Sequence, residues 1–504
     1  MYKFILFCLL AITASANAQY QPHAIWSREG AGDSSLYGSS ILALGDQNND
    51  GFNDWAVFAQ GNANDTWHGA QPGYIDFFHG GNPPSSEPYM VRTLDTTNEE
   101  SLWNAYSVGD LNGDHYIDWI VVAQLNDGSF NNVWKLYFGG PGSHETPDLV
   151  LTSGWFSAYF GIGDFNGDHF DDLYLWDNWN ERVAVYYGGN PMDTIPDWQR
   201  ADDLIPKAGD LNGDGVADLL CISNLTHGTN IFFGSAYPDT IPAIFWPNFG
   251  CGVIRDINRD SFDDLCFGGR GFGALSWGGP AMDTIEDTRL NFPCDDSGPD
   301  WIVSAGDFNH DGFNDVVMAR EWCDNSYWGT LTVHLGGWWM NPQPAFVIEG
   351  WTDPFNLIHF KTAMNLGDIN GDHIDDLAIG ANGGIEQAAW RGKVVILGGD
   401  DSLRADADDP FILHPSSFRL SAYPNPFNPA TTISFTLAKT GSVDLKVYDV
   451  TGRKTGGLLS APTGVVAAGE HSMVFDGSDL PSGIYFVRME AGGISQTKKI
   501  VLLK

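Results

Sequence analysis

Basic residues are scarce in this chain. Its 504 residues hold 25 Lys and Arg against 64 Asp and Glu, a formal charge of −39. So acidic a balance argues against nucleic acid and anionic membrane surfaces as partners. Cysteine is also rare, six in all. Cys8 falls in the leader described next and lacks the placement of a lipid anchor. Cys221, Cys251, Cys266, Cys294 and Cys323 are too few for a disulfide framework, and their odd number leaves at least one unpaired in an oxidising compartment. Cys251 with Cys266 and Cys294 with Cys323 are pairings that geometry permits, and no Cys–His spacing suggests zinc. Long apolar runs are confined to Phe4–Ile12. That run follows one Lys and precedes Ala16-Asn17-Ala18, so residues 1–18 read as a secretory signal peptide, too short in its apolar part for a membrane span. Helical periodicity is missing throughout. So are the signatures of common enzymes: there is no nucleophile motif, no His-Glu-His helix and no phosphate loop. His68, His227, His310 and His334 are isolated, and only a carboxylate pair gathered from distant segments would support hydrolase or lyase chemistry.

What the chain does have is a nine-residue phrase repeated seven times, beginning at Asp46, Asp110, Asp164, Asp210, Asp256, Asp307 and Asp368. Every copy carries Asp at position 1, Asn at 3, Asp at 5 and Asp at 9. Successive copies are separated by 64, 54, 46, 46, 51 and 61 residues, the span of a four-stranded propeller blade with loops of variable length. Side-chain oxygens from positions 1, 3, 5 and 9 and the carbonyl of position 7 make an all-oxygen set suited to a hard cation, and calcium accepts irregular geometry better than magnesium does. The predicted ligands are Asp46, Asn48, Asp50, Phe52 and Asp54, then Asp110, Asn112, Asp114, Tyr116 and Asp118, then Asp164, Asn166, Asp168, Phe170 and Asp172. They continue with Asp210, Asn212, Asp214, Val216 and Asp218, then Asp256, Asn258, Asp260, Phe262 and Asp264. The last two sets are Asp307, Asn309, Asp311, Phe313 and Asp315, and Asp368, Asn370, Asp372, Ile374 and Asp376. Up to seven calcium ions are expected. Three carboxylates in nine residues repel one another unless a cation neutralises them; the plain alternative is an Asx-rich turn without metal. Gly51, Gly215 and Gly312 follow the third ligand, where a positive φ is expected, while His115, His169, Ser261 and His373 hold the same place in other copies. The fifth copy is unusual, with Arg255 in place of the preceding Gly and Arg259 before its third ligand.

Each phrase is followed by an apolar strand and then by an aromatic-Gly signal, as in Leu219-Leu220-Cys221-Ile222 and Phe233-Gly234, or Tyr137-Phe138-Gly139-Gly140. The loop is therefore placed between the innermost and second strands of a blade, with an outer strand after the glycine. The chain resembles the FG-GAP/VCBS-like calcium-binding repeats found in the propeller heads of integrin alpha subunits and in many bacterial surface proteins. The resemblance covers roughly residues 23 to 415 and implies a seven-bladed β-propeller over residues 19–415. Either Ala24–Ser27 or Phe411–His414 is available to close its ring.

After a linker, 416–422, the composition changes: all 19 Trp lie before residue 400, and residues 421 to 504 hold 8 Lys and Arg against 6 Asp and Glu. Alternating strands over 423–504 suit a small Ig-like β-sandwich, making the chain all-β. Pro424-Asn425-Pro426-Phe427, Val447-Tyr448-Asp449-Val450-Thr451-Gly452-Arg453, Leu480-Pro481-Ser482-Gly483-Ile484-Tyr485 and Lys498-Lys499-Ile500 resemble the C-terminal sorting domain of the type nine secretion system of Bacteroidetes-like bacteria. The resemblance implies the type nine secretion machinery as a partner, and secretion or outer cell-surface display by a Gram-negative bacterium.

The connections opposite the calcium loops vary in length and carry Trp67, Trp176, Trp179, Trp322 and Trp328, flat rings beside polar groups that suit a sugar face or a protein loop. Each is equally a packing residue. The expected function is recognition of a glycan or protein by a secreted or surface propeller. The alternatives are a structural component of an extracellular assembly and a polysaccharide lyase or hydrolase.

Overall fold

A computed structural model gives the architecture. It describes residues 22–504 apart from 32–34, 62–72, 94–99, 126–131, 143–145, 154–156, 178–181, 202–203, 224–227, 247–251, 280–281, 283–285, 295–297, 322–328, 338–339, 350–357, 384–390, 404–419, 438–440, 451–452, 456–457, 460–464, 467–468 and 492–493. The chain divides into two compact units, the first ending at Arg404 and the second spanning Ala405–Lys504.

The first unit contains seven four-stranded antiparallel sheets, the blades of a propeller. Blade 1 is Tyr37–Gly45, Asp54–Ala59, Tyr74–Phe78 and Met90–Thr93, and the pattern recurs with innermost strands Glu100–Gly109, Ser157–Gly163, Leu204–Gly209, Gly252–Ile254, Trp301–Gly306 and Ile358–Gly367. Each innermost strand lies against those of both neighbours, and that of blade 7 against that of blade 1, so the ring is complete. The second strands are covered on both faces by adjacent blades. This is why Asp54–Ala59 is buried at every residue and reads as a continuous apolar run instead of an alternating one.

Closure falls to the N-terminal segment. Ala24–Glu29 pairs antiparallel with Lys393–Leu397 as the outer strand of blade 7. Its side chains also grip blade 1: Trp26 Nε1 donates to the Ser85 carbonyl at 2.9 Å, Arg28 Nη1 donates to the Ser86 carbonyl at 2.9 Å, and Arg28 Nε lies 3.5 Å from the buried Asp76 carboxylate. The competing segment, Phe411–His414, lies outside the described residues. Other outer strands grip the next blade in the same way, with the Arg92 guanidinium 4.4 Å from the Tyr137 ring and that of Arg200 4.9 Å from Phe232, cation–π contacts of about 0.5–2 kcal/mol each.

The second unit is a sandwich of two four-stranded sheets, one built on Ala430–Leu437 and Gly469–Asp476, the other on Gly441–Asp449, Gly483–Ala491 and Ile494–Leu502. Alternate residues of both sheets, among them Ile433, Phe435, Val447, Phe475, Val487 and Ile500, fill one core. The sequence motifs here are structural fasteners. Asn425 pairs with the final strand as a surrogate strand, its Nδ2 donating to the Lys499 carbonyl at 3.0 Å and its Oδ1 accepting from Val501 N at 2.8 Å, while Phe427 enters the core. Asp449 closes its turn by accepting from the backbone N and Nε of Arg453, both at 3.0 Å, and the Tyr485 hydroxyl donates to the Pro481 carbonyl at 2.8 Å.

One of the two pairings that the sequence permits does not form. Cys266 is a buried thiol, as is Cys221, whereas Cys294 is disulfide-bonded. A bridge from Cys251 to Cys266 is thus ruled out: Cys266 faces the blade core beside Ile254, Leu275 and Met318. Cys251 and Cys323 lie outside the described residues.

Candidate functional site

All seven Asp-rich phrases fold alike, each joining the innermost strand of its blade to the second. Positions 4 and 6 are left-handed in every copy, with φ from 55° at His310 to 92° at Gly51. Histidine and serine therefore adopt at position 6 the turn that glycine adopts elsewhere. Those two bends wrap the backbone around the position-1 carboxylate, whose Oδ2 accepts the N–H of position 6 at 2.8–2.9 Å in all seven loops. The Asn Oδ1 at position 3 accepts the N–H of position 5 at 2.8–3.1 Å. The position-5 carboxylate accepts the N–H of position 7 at 2.9–3.1 Å.

Position 9 is different in kind. Asp54, Asp118, Asp172, Asp218, Asp264, Asp315 and Asp376 are fully buried. One oxygen accepts the N–H of position 2 at 2.8–3.1 Å. The other accepts, at 2.7–3.2 Å, the N–H of a glycine at the exit of the third strand: Gly80, Gly139, Gly188, Gly234, Gly278, Gly336 or Gly399. A Cβ on any of these glycines would overlap the position-8 carbonyl oxygen, which is why the aromatic-Gly signal accompanies the phrase. Burial pushes the position-9 carboxyls up, and in the six loops after the first the carboxylates at positions 1 and 5 add to the shift. Asp118, Asp172, Asp218 and Asp376 rise to about 7 and Asp264 to about 8.

The loops are laced to one another around the axis. The carbonyls at positions 1 and 2 accept N–H groups from the next blade, as in Asp171 N to Asp110 O at 3.0 Å and Gly189 N to Leu111 O at 2.7 Å. The pattern returns from blade 7 to blade 1 through Asn53 N to Asp368 O and Gly81 N to Ile369 O. Between blades 1 and 2 the Gln47 side chain supplies the same link, donating to the Ile117 carbonyl at 3.0 Å and accepting from Gly140 N at 2.7 Å. Position-7 side chains take part as well, since the Phe170, Phe262 and Phe52 rings press on the position-4 glycines Gly113, Gly213 and Gly371 of the preceding loops. Sequence reasoning gives position 7 only a carbonyl role; the recurrence of large side chains there is the signal for this second one.

The donor set is compatible with a hard cation. Its side chains offer only oxygen acceptors apart from the Asn amides, and a carboxylate has about four lone-pair sites, of which the N–H groups occupy only part. Among the described residues, no group of three or more Asp, Glu, His or Cys side chains is drawn together into a ready-made cage. The carboxylates rest instead on backbone N–H groups.

Of the ligand-binding tryptophans proposed from sequence, Trp176 lies on the second strand of blade 3, opposite Ala158 and Val183, and packs against the blade core. Its alternation with buried Leu175 was that of a strand. Trp67, Trp179, Trp322 and Trp328 lie outside the described residues.

Residues 362–397 match the FG-GAP repeat. The match runs from the innermost strand of blade 7 through its Asp368–Asp376 loop to the end of the third strand, and the other six blades repeat that arrangement. Residues 421–503 match the Secretion system C-terminal sorting domain. The chain thus carries an FG-GAP repeat within a seven-bladed propeller, and its sorting tail directs it to the cell surface of a Gram-negative bacterium through the type nine machinery. No curated protein matches the chain. Among the described residues, no helix is long and apolar enough to cross a membrane.

Proposed function

We propose that this FG-GAP propeller is a calcium-stabilised recognition module that binds a glycan or a protein through the face opposite its Asp-rich loops. The observation that carries the reading is the contrast between the two faces. Loops joining first and second strands are nearly uniform, whereas those joining second and third strands range from two residues between Gly269 and Phe272 to fourteen between Ala59 and Tyr74. A rigid scaffold with one constant and one variable set of loops is organised for recognition on the variable side. Trp179 and Trp328 are the residues we assign to ligand contact there. A glycan array and pull-down from native cell surfaces, using wild type, Trp179→Ala and Trp328→Ala, test this. Binding weakened by either substitution is expected; binding indifferent to both would refute the assignment.

Calcium is supported by the recurrence of the oxygen set and by the burden of like charge. The residues that would hold it are those at positions 1, 3, 5, 7 and 9 of each loop, and the ion would supply charge neutralisation. An ion that binds only the folded state adds about 2.7 kcal/mol per site at a hundred times its dissociation constant. Complete chelation should therefore lower the melting temperature markedly, and an unchanged melting curve after verified metal removal would exclude calcium as a stabiliser.

A further inference from the structure

Position 4 is left-handed in every loop and is glycine in four of them, Gly113, Gly167, Gly213 and Gly371. The fifth loop places Arg259 there at φ 61°, a conformation that L side chains adopt only at a cost. Asn49 shows what a side chain at this position can reach, because its amide donates to the Tyr116 hydroxyl at position 7 of the following loop. Arg259 makes the corresponding contact as a cation. Its guanidinium carbon lies 5.9 Å from the centre of the Phe313 ring, and Nη1 lies 2.5 Å from where a Cβ on Gly312 would stand. The charge thus rests on positions 6 and 7 of the sixth loop. Gly312 is the residue whose N–H holds Asp307 Oδ2 at 2.9 Å, and Phe313 provides the position-7 carbonyl. No other loop carries a Lys or Arg at position 4 or 6.

We propose that Arg259 is a tethered competitor for the divalent ion of the sixth loop, which makes that loop the weakest of the seven and the first to empty as calcium falls. The proposal rests on the calcium reading above. A fixed positive charge beside a surface ion site lowers its affinity on the order of tenfold. The ring then has an intermediate state in which only the join between blades 5 and 6 has lost its ion, set by one side chain.

The test is calcium titration of the full mature chain by calorimetry and native mass spectrometry. Wild type is compared with Arg259→Gln, which removes the charge while keeping the backbone strain, and with Arg259→Gly, which removes both. The expected result is one ion per chain bound roughly tenfold more weakly than the rest in wild type, tightened about tenfold in both variants and abolished by Asp311→Asn. Isotherms identical for wild type and Arg259→Gln would overturn the proposal, as would loss of a tight ion in Asp311→Asn. No calcium uptake by wild type would overturn the calcium reading and the proposal with it, a result distinct from the other two.

Discussion

At the residue scale, the Asp at position 9 does more than the sequence assigned to it. It was read as the last ligand of a loop, yet it also ties that loop to a glycine 14 to 26 residues further on. The tie was not legible because it depends on how the third strand returns beside the second. Asp218→Ala would leave the N–H of Gly234 buried without an acceptor, at about 1–3 kcal/mol, and that of Leu211 with only the Gly209 carbonyl at 3.1 Å. The expected loss of about 1–3 kcal/mol is measurable by chemical denaturation in chelator, where a ligand effect is absent. Gly336→Ala forces a Cβ onto the Asn314 carbonyl oxygen and should cost at least about 2 kcal/mol by the same measurement. His334, isolated in the sequence, is fully buried in blade 6. Burial holds its imidazole down at about 4 against an ordinary 6.5, and the neighbouring backbone at Asn341 and Asn291 offsets this only in part. Between those values the unfolded chain takes up a proton that the folded one refuses, so stability falls as pH drops through that window. From pH 7 to 4.5, wild type should lose about 2–3 kcal/mol more than His334→Leu; equal losses would refute the role given to burial.

At the element scale, strand order was legible because each Asp-rich phrase marks the same turn and each aromatic-Gly pair marks the same exit. The choice of closing strand was not. Ala24-Ile25-Trp26 and Phe411-Ile412-Leu413 have similar patterns, and what separates them is tertiary: Trp26 and Arg28 reach blade 1 while their backbone pairs in blade 7. Deleting Ala24–Glu29 should expose the edge of Lys393–Leu397, and an exposed edge invites association. Size-exclusion chromatography should show aggregates, and limited proteolysis should cut blade 7 first. A monomeric, protease-resistant deletion variant would contradict this account of closure. In the tail, the Pro-Asn-Pro-Phe motif was recognisable as a family mark, but its work of sealing the last strand is visible only where Asn425 meets Lys499 and Val501.

At the scale of the whole molecule, the acidic excess is concentrated before the tail. Residues 421–504 contribute +2 (8 − 6), so the preceding residues carry −41 (−39 − 2). Seven divalent ions would return +14. Chelated protein should therefore gain more from added salt than calcium-loaded protein, because screening substitutes in part for the missing counterions. Melting temperatures from 0.05 to 1 M NaCl, on the order of one to twenty times dilute buffer strength, should rise more steeply in chelator, and parallel slopes would argue against repulsion as the limiting force. The closing strand has one more consequence. The first strand to emerge during synthesis finds its partner only when Lys393–Leu397 has been made, just upstream of the sorting domain. A chain cut short before that point would lack both its final seam and its export address, so that unfinished copies are withheld from the cell exterior by the order of their own parts.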